Sequence, residues 1–156
     1  MCIRDRINGV TFINDTAATV PQATIKALLE LDEPAGWGRE HVILIAGGKD
    51  KNLDYTALSQ QISTSVKQLF MFEGTASEKL QRCLEGLGAG EKNHQSMPAV
   101  RTGFKTMTDI IRAAMDMTRR GDIVLLSPGA ASFDMFANEF DRGRQFVSEA
   151  KKFKSL

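Results

Sequence analysis

The chain has 156 residues, of which 42% are hydrophobic and 25% are charged, and these values favour one soluble globular domain with its own core. Its 20 Lys and Arg residues nearly balance its 19 Asp and Glu residues, and the net charge of +1 argues against a protein that binds nucleic acid or a membrane. The two cysteines, Cys2 and Cys83, form no disulfide or metal-binding motif, so a cytoplasmic location is the simplest interpretation.

The first residues, "MCIRDR", match neither a signal peptide nor the start of a strand or helix. We therefore expect residues 1–7 to be a non-native or truncated leader, and we expect the native upstream sequence to be missing. Residues 8–156 are predicted to form one domain. No apolar stretch reaches the roughly 18 residues that a membrane-spanning helix needs.

The first half of the chain alternates between predicted strands and helices. "GVTFIND" (9–15) has the alternation and β-branched residues of a strand, and "PQATIKALLELD" places its Ile and Leu residues near one helical face, with Pro21 in the first turn. The nearly continuous apolar run "HVILIAGG" (41–48) suits a strand that is covered on both faces, as in a parallel sheet. Asp54 is positioned to cap the next helix, "YTALSQQI".

The second half continues this alternation. "VKQLFMFEG" predicts a strand, and Thr75 with Glu78 has the spacing of a capping box at the start of the following helix. The remaining predicted elements are a loop at 86–94, a weak strand at 95–100, a helix from about Phe104 to Arg120, a buried strand that runs into a turn over 122–132, and a closing helix over 133–153. The whole pattern predicts an α/β fold, namely a three-layer αβα sandwich around a mostly parallel, Rossmann-like sheet with right-handed crossovers.

Three predicted strands end in unusually polar turns: the first turn, "NDTAAT" (14–19), the second turn, "GGKDKN" (47–52), and the third turn, "SPGAAS" (127–132). In an open α/β sheet, ligands bind beyond the carboxyl ends of the strands. The groups that the turns offer include a carboxylate, two ammonium groups and four hydroxyls, on Asp15, Lys49, Lys51, Thr16, Thr19, Ser127 and Ser132. This set predicts a site for an anionic small molecule.

Simpler interpretations exist for each member. Thr19 could cap the helix that begins at Pro21, Lys49 and Lys51 could lie in solvent, and Ser127 could merely end a strand. The occurrence of all three turns at equivalent strand ends favours a functional role. The chain contains no GxxxxGK[ST] loop, so it is not expected to bind a nucleoside triphosphate unaided.

The segments "GVTFINDTAAT", "LIAGGKDKNLDY" and "DIVLLSPGAASFDMFANEFDRGRQF" together resemble the C-terminal domain of the Mur ligase family, and in particular its D-glutamate-adding members. The resemblance runs from about residue 8 to residue 153. It implies an ATP-dependent, ADP-forming ligase of peptidoglycan synthesis that joins D-glutamate to UDP-N-acetylmuramoyl-L-alanine through an acyl phosphate. It also implies that ATP and Mg²⁺ are bound mainly by a central domain outside this chain, which alone would be inactive.

The resemblance also assigns residues to ligands. It places glutamate against Thr19, Lys51, Ser132, Phe133 and Phe140, and it places the nucleotide near Asn14, Asp15 and Thr16. Two positions depart from the family pattern, because Ala17 stands where many relatives have lysine, and Glu139 stands where an aromatic residue is common. Two alternatives therefore stay open: a related ligase that adds another amino acid, and a stand-alone anion-binding or interaction module with the same fold.

Overall fold

A computed structural model describes residues 2–32, 37–90 and 96–155. The strands are β1 (Cys2–Ile7), β2 (Val10–Asn14), β3 (Val42–Ala46), β4 (Gln68–Phe72), β5 (Ala99–Phe104) and β6 (Ile123–Leu126). The helices are α1 (Pro21–Asp32), α2 (Thr56–Ser65), α3 (Thr75–Gly90), α4 (Met107–Met117) and α5 (Glu139–Lys151).

The strands form one sheet in the order β1-β2-β6-β3-β4-β5. β1 pairs antiparallel with β2, and every other neighbouring pair is parallel. Since β2, β6 and β3 are parallel neighbours, their carboxyl ends lie side by side at one edge of the sheet. This arrangement brings together the three turns that the sequence singled out.

Alternating residues of the buried strands divide between two cores, one on each face of the sheet. In β3, Leu44 contributes to the core that α1, α2 and α3 cover, whereas Ile43 and Ile45 contribute to the core that α4 and α5 cover. A strand buried on both faces needs apolar residues at every position, which explains the continuous apolar run in the sequence. The predicted three-layer α/β sandwich is confirmed. In the described parts of the chain, no helix has the length and apolar character that crossing a bilayer requires.

Part of the predicted loop at 86–94 is wrong, because α3 continues to Gly90. Residues 91–94 lie outside the described residues. A Cβ atom built on Gly86 would meet no atom within 4 Å, so this glycine faces open space. The glycines of this segment are therefore helical residues that weaken the helix without ending it.

The predicted capping of two helices has different outcomes. The carboxylate of Asp54 accepts a hydrogen bond from the N–H of Thr56 at 2.9 Å, so its predicted role at the start of α2 is confirmed. The capping box of Thr75 and Glu78 is wrong. The hydroxyl of Thr75 instead accepts from the N–H of Asp50 at 3.0 Å, which ties the start of α3 to the second turn.

The boundaries of the next two elements also differ from the prediction. The strand predicted at 95–100 lies later, because β5 begins at Ala99, and residue 95 is outside the described part. Residues 99–103 of β5 are all exposed, so this strand lacks the alternation that marks a half-buried strand. α4 starts only after Thr106, whose hydroxyl accepts from the N–H of Asp109 at 3.1 Å, and it ends before Arg120.

Both ends of the described chain contain further differences. α5 begins at Glu139 and not at 133, because Asp134 has a positive φ of 78° and the side chain of Asn138 caps the N–H of Asp141 at 2.8 Å. Residues 2–7, to which no element was assigned, form β1. The native or non-native origin of residues 1–7 stays a prediction.

Candidate functional site

The three turns are joined to one another by backbone hydrogen bonds. The N–H of Gly129 in the third turn donates to the carbonyl of Ala18 in the first turn at 2.8 Å. Lys49 and Ala131 exchange two backbone hydrogen bonds of 3.1 Å, which connect the second turn to the third. Thr19 directly follows Ala18, and Ser132 directly follows Ala131. Lys51 lies two positions after Lys49. The structure thus brings the predicted anion-binding turns into one cluster.

Glycines make the close approach of the second turn possible. Gly48 has a φ of +137°, and a Cβ atom there would lie 2.5 Å from the carbonyl oxygen of Ala131. A Cβ atom on Gly74, which precedes α3, would lie 2.2 Å from the carbonyl oxygen of Gly48. No side chain larger than hydrogen fits at such separations. Gly48 of the second turn and Gly74 before α3 are therefore required by packing.

Ionic and hydrogen-bonded contacts hold the rest of the second turn. The carboxylate of Asp50 lies 2.6 Å from Nζ of Lys79 and also accepts from the N–H of Leu53 at 3.0 Å. The hydrogen bond from Lys79 lowers the pKa of Asp50 below its usual 3.8. Asn52 takes a left-handed conformation with φ of 61°. Lys51 lies between these two fixed neighbours, so its backbone is held while its side chain is exposed.

The candidate donors differ in whether their side chains already have partners. The hydroxyls of Thr19 and Ser132 and the ammonium of Lys51 form no hydrogen bond or ion pair with any residue in the described ranges. Thr19 therefore does not cap α1 through its side chain, which answers the simpler interpretation of that residue. Ser132 is nevertheless only 5% exposed. A nearly buried hydroxyl of this kind is well placed to meet a bound ligand.

Other candidate donors are used within the protein. Ser127 is fully buried, its hydroxyl donates to Oδ2 of Asp15 at 2.8 Å, and its carbonyl accepts from the hydroxyl of Thr24 at 3.1 Å. The prediction that Ser127 donates to a ligand is therefore wrong, because its single hydroxyl hydrogen is engaged. Lys49 forms an exposed ion pair with Asp134 at 3.2 Å, so it offers a weaker site than Lys51.

Burial shapes the chemistry of Asp15. Desolvation raises the pKa of its carboxyl above the usual 3.8, even though the hydrogen bond from Ser127 acts in the opposite direction. The backbone N–H of Asp15 donates to the carbonyl of Leu126 at 2.8 Å, which extends the pairing of β2 with β6 by one residue. Asp15 is thus a half-buried acceptor with a fixed position.

A groove of about 650 Å³ runs between the first turn and α5. It is lined by Asn14, Asp15, Thr16, Ala17, Phe140, Gly143, Arg144, Val147, Ser148 and Lys151. The three residues predicted to contact the nucleotide therefore share one groove. Phe140, which is 66% exposed, lines the same groove, so it lies with the predicted nucleotide residues. Its assignment to the glutamate stays a prediction.

A second cavity, of about 540 Å³, adjoins the second and third turns. Phe133 lines it together with Lys49, Gly74 and Thr75 from the ends of β3 and β4. Phe133 is 57% exposed, and it follows Ser132 directly in the chain. The two predicted phenylalanines therefore lie in different cavities.

Arg142 is a site residue that the sequence analysis missed. It is only 1% exposed and is the largest of the fully buried side chains. Burial lowers the pKa of its guanidinium to about 10, so it stays charged at neutral pH. In a sequence, a single arginine on a predicted helix is normally interpreted as a charge in solvent. The adjacent Gly143 could have indicated that α5 packs closely against another element at this point. A Cβ atom on Gly143 would lie 2.6 Å from Cγ2 of Thr16.

The described residues hold no group of three or more His, Cys, Asp or Glu side chains that could bind a metal ion. His41 lies at the opposite edge of the sheet, where its Nδ1 is 3.4 Å from Oδ1 of Asp122, and His94 is outside the described ranges. The arrangement provides hydroxyl and ammonium donors for carboxylates, and beside them an apolar groove with a carboxylate acceptor. It can bind and orient ligands, and it offers no assembled nucleophile.

Comparison with known proteins finds relatives in sequence and in fold. A family model described as "Mur ligase, glutamate ligase domain" matches residues 1–130. A protein named UDP-N-acetylmuramoylalanine--D-glutamate ligase from Roseiflexus sp. (strain RS-1) is 42% identical over 149 residues, which are 94% of this chain and 28% of that relative. A protein of the same name from Treponema pallidum (strain Nichols) is 35% identical over 143 residues, which are 92% of this chain and 24% of that relative.

Among solved structures, a murein peptide ligase from Psychrobacter arcticus 273-4 matches with a TM-score of 0.64 and 14% sequence identity. The match covers 97% of this chain and 29% of that protein, and it shows that the two share a fold. The chain therefore spans less than a third of the length of each of these three proteins.

Proposed function

Because this chain belongs to the Mur ligase family and matches its glutamate ligase domain, we propose that it is the amino-acid-binding part of an ATP-dependent ligase that adds D-glutamate to UDP-N-acetylmuramoyl-L-alanine. One observation carries the proposal. The three donors that the family resemblance assigns to glutamate, on Thr19, Lys51 and Ser132, are also the ones whose side chains have no partner among the described residues.

Lys51 and the two hydroxyls have complementary roles in this proposal. The ammonium of Lys51 supplies the positive charge for a carboxylate of glutamate, while Thr19 and Ser132 supply directed hydrogen bonds. A hydrogen bond to a charged group contributes about 1.5–3 kcal/mol, so three such contacts suffice to hold a small amino acid in one orientation. That orientation would fix the amine of glutamate for attack on the activated acyl group.

The groove beside the first turn fits the nucleoside part of ATP. Phe140 offers an exposed ring, and Asp15 offers a carboxylate that accepts from a ribose hydroxyl or a base amine. Bound ATP with Mg²⁺ would supply the phosphoryl group that activates the acceptor carboxylate. We propose that both are held mainly by residues upstream of this chain, since the chain has no P-loop.

This proposal also accounts for partners and location. The substrates would be D-glutamate, UDP-N-acetylmuramoyl-L-alanine and ATP, and no role requires nucleic acid or a membrane. We propose a cytoplasmic ligase of peptidoglycan synthesis, with the chain inactive when separated from the rest of the enzyme.

The test is steady-state kinetics of the full-length protein encoded by the gene. With ATP, Mg²⁺ and UDP-N-acetylmuramoyl-L-alanine present, release of phosphate should require D-glutamate, and L-glutamate should be a much poorer substrate. Activity with L-glutamate or L-alanine in place of D-glutamate would contradict the proposed specificity. Binding of glutamate without any phosphate release would favour the stand-alone module.

A further inference from the structure

Arg142 connects two of the three turns through its guanidinium. Its Nε donates to Oγ1 of Thr16 at 3.1 Å, and its Nη2 donates to the carbonyl of Thr16 at 2.8 Å. On the other side, its Nη1 donates to the carbonyl of Ala130 in the third turn at 3.1 Å. The same side chain therefore holds the first turn by two hydrogen bonds and the third turn by one.

The residues that contact Arg142 lie beside both proposed ligand sites, the one for the nucleotide and the one for glutamate. The hydroxyl of Thr16, which receives Nε, itself donates to the carbonyl of Glu139 at 2.7 Å, so α5 is fixed to the first turn as well. Ser132 is two residues beyond Ala130, and it lines a small cavity together with Arg142. Displacing the guanidinium would therefore disturb the nucleotide residues and the glutamate residues at once.

The chemistry of the contacts requires arginine. A planar guanidinium presents donors in several fixed directions, whereas the ammonium of lysine is a single point of charge. The three hydrogen bonds of Arg142 all go to neutral oxygens. Among the residues that the structure describes, no carboxylate forms an ion pair with it, and the charge of Glu139 acts on it from beyond ion-pair distance. Burial lowers the pKa of Arg142 despite the charge of Glu139, so placing a guanidinium here is costly, and that cost favours a role beyond packing.

We propose that Arg142 is a positioning residue that sets the separation of the first and third turns, and through them the relative position of the nucleotide and the glutamate. The kinetic part of this inference rests on the proposed function. The structural part, that the two turns are coupled through one guanidinium, is independent of what the protein binds.

The structural part is tested by amide hydrogen exchange of the full-length protein without ligands. Arg142→Lys keeps a positive charge but cannot make all three contacts, so exchange in residues 127–132 should become about tenfold faster, as expected for the loss of one hydrogen bond to a charged group. Thr16→Val removes the acceptor of Nε, and it should also accelerate exchange in the third turn, although Thr16 lies in the first. Combining the two changes should add little beyond the larger single effect.

Arg112→Lys is the matched control, since Arg112 is exposed on α4. It should leave exchange in the third turn unchanged. If Thr16→Val has no effect on the third turn, or if its effect simply adds to that of Arg142→Lys, the proposed coupling is wrong.

Kinetics of the same variants test the consequence for the ligands. Arg142→Lys should raise KM for both ATP and glutamate by about fivefold or more, whereas a merely structural loss of folded enzyme would lower kcat and leave both KM values unchanged. A rise in only one KM would overturn the positioning role. If the unsubstituted enzyme formed no product with D-glutamate, the proposed function would fail, and the exchange experiment would still decide the coupling through Arg142.

Discussion

The hydroxyl of Ser127 lies 2.8 Å from a carboxylate oxygen of Asp15 and joins the end of β6 to the end of β2. This bond uses a buried donor to orient a half-buried acid. Asp15 accordingly combines a fixed position with a raised pKa. Because burial disfavours the charged carboxylate, ionisation of Asp15 at neutral pH lowers the free energy of unfolding.

Asp15→Asn should stabilise the protein at pH 7. The pKa of Asp15 in the folded state is raised above 3.8, so the stability from its protonated form is fully present below pH 3.8 and is lost as the pH rises through the folded-state value. Asparagine cannot ionise, so the variant does not lose this stability. Its free energy of unfolding at pH 7 should exceed that of the unsubstituted protein by up to about 1 kcal/mol, the size expected at a half-buried site. Urea denaturation should show the gain at pH 7 and its decrease toward pH 3.8. Equal stability of the two proteins at pH 7 would contradict the raised pKa. Asp116→Asn, at an exposed position on α4, is the control.

Asp50→Asn should have the opposite effect. The hydrogen bond from Lys79 lowers the pKa of Asp50, so the stability that this pair provides is present above pH 3.8 and is lost as the pH falls through the lowered folded-state value. At pH 7 the variant should be less stable by about 1 kcal/mol, the usual size for a partly exposed ion pair with hydrogen bonds. Denaturation at pH 7 and at successively lower pH should show the difference disappear. A difference independent of pH would exclude the ionic contribution.

Lys51→Ala should raise KM for D-glutamate in the full-length enzyme by roughly 10- to 150-fold. This range corresponds to the loss of one charge-assisted hydrogen bond of about 1.5–3 kcal/mol. Initial rates at varied glutamate concentration are the measurement, and KM for ATP should change far less. Lys154→Ala, at an exposed position near the C-terminus, is the control. An unchanged KM for glutamate would remove Lys51 from the site.

Gly48→Ala should destabilise the protein by about 2 kcal/mol or more. Its φ of +137° disfavours any side chain, and the new Cβ atom would lie 2.5 Å from the carbonyl oxygen of Ala131. Gly86→Ala is the matched control, because its Cβ atom meets nothing within 4 Å in the middle of α3. That change should stabilise the protein by about 0.5–1 kcal/mol. Urea denaturation of both variants should therefore give shifts of opposite sign.

The sequence predicted the layers of the fold because burial dictates residue type in the central strands. β3 must be apolar at every position, and its run of Val, Ile, Leu and Ala is visible without a structure. β5 could not be located as well, because residues 99–103 are exposed and carry little pattern. The late start of α5 depends on the positive φ of Asp134 and on a cap by Asn138, which the apolar periodicity does not reveal.

The sequence was sufficient to predict which turns form the candidate site, but it did not predict the contacts that the side chains make there. The end of each parallel strand fixes where Thr19, Lys51 and Ser132 lie. By contrast, the burial of Arg142 and the engagement of Ser127 result from packing between parts of the chain that are more than 100 residues apart in sequence. Local patterns carry no information on such partners.

The position of β6 in the sheet has a consequence for how the protein is made. Among the strands that the structure describes, this one is the last along the chain, yet it lies between β2 and β3, which are the second and third. A growing polypeptide can therefore not complete the middle of its sheet until about residue 126 has left the ribosome. Until then the facing edges of β2 and β3 lack their partner and are open to wrong pairing. The binding turns are therefore expected to be assembled late in the folding of this domain.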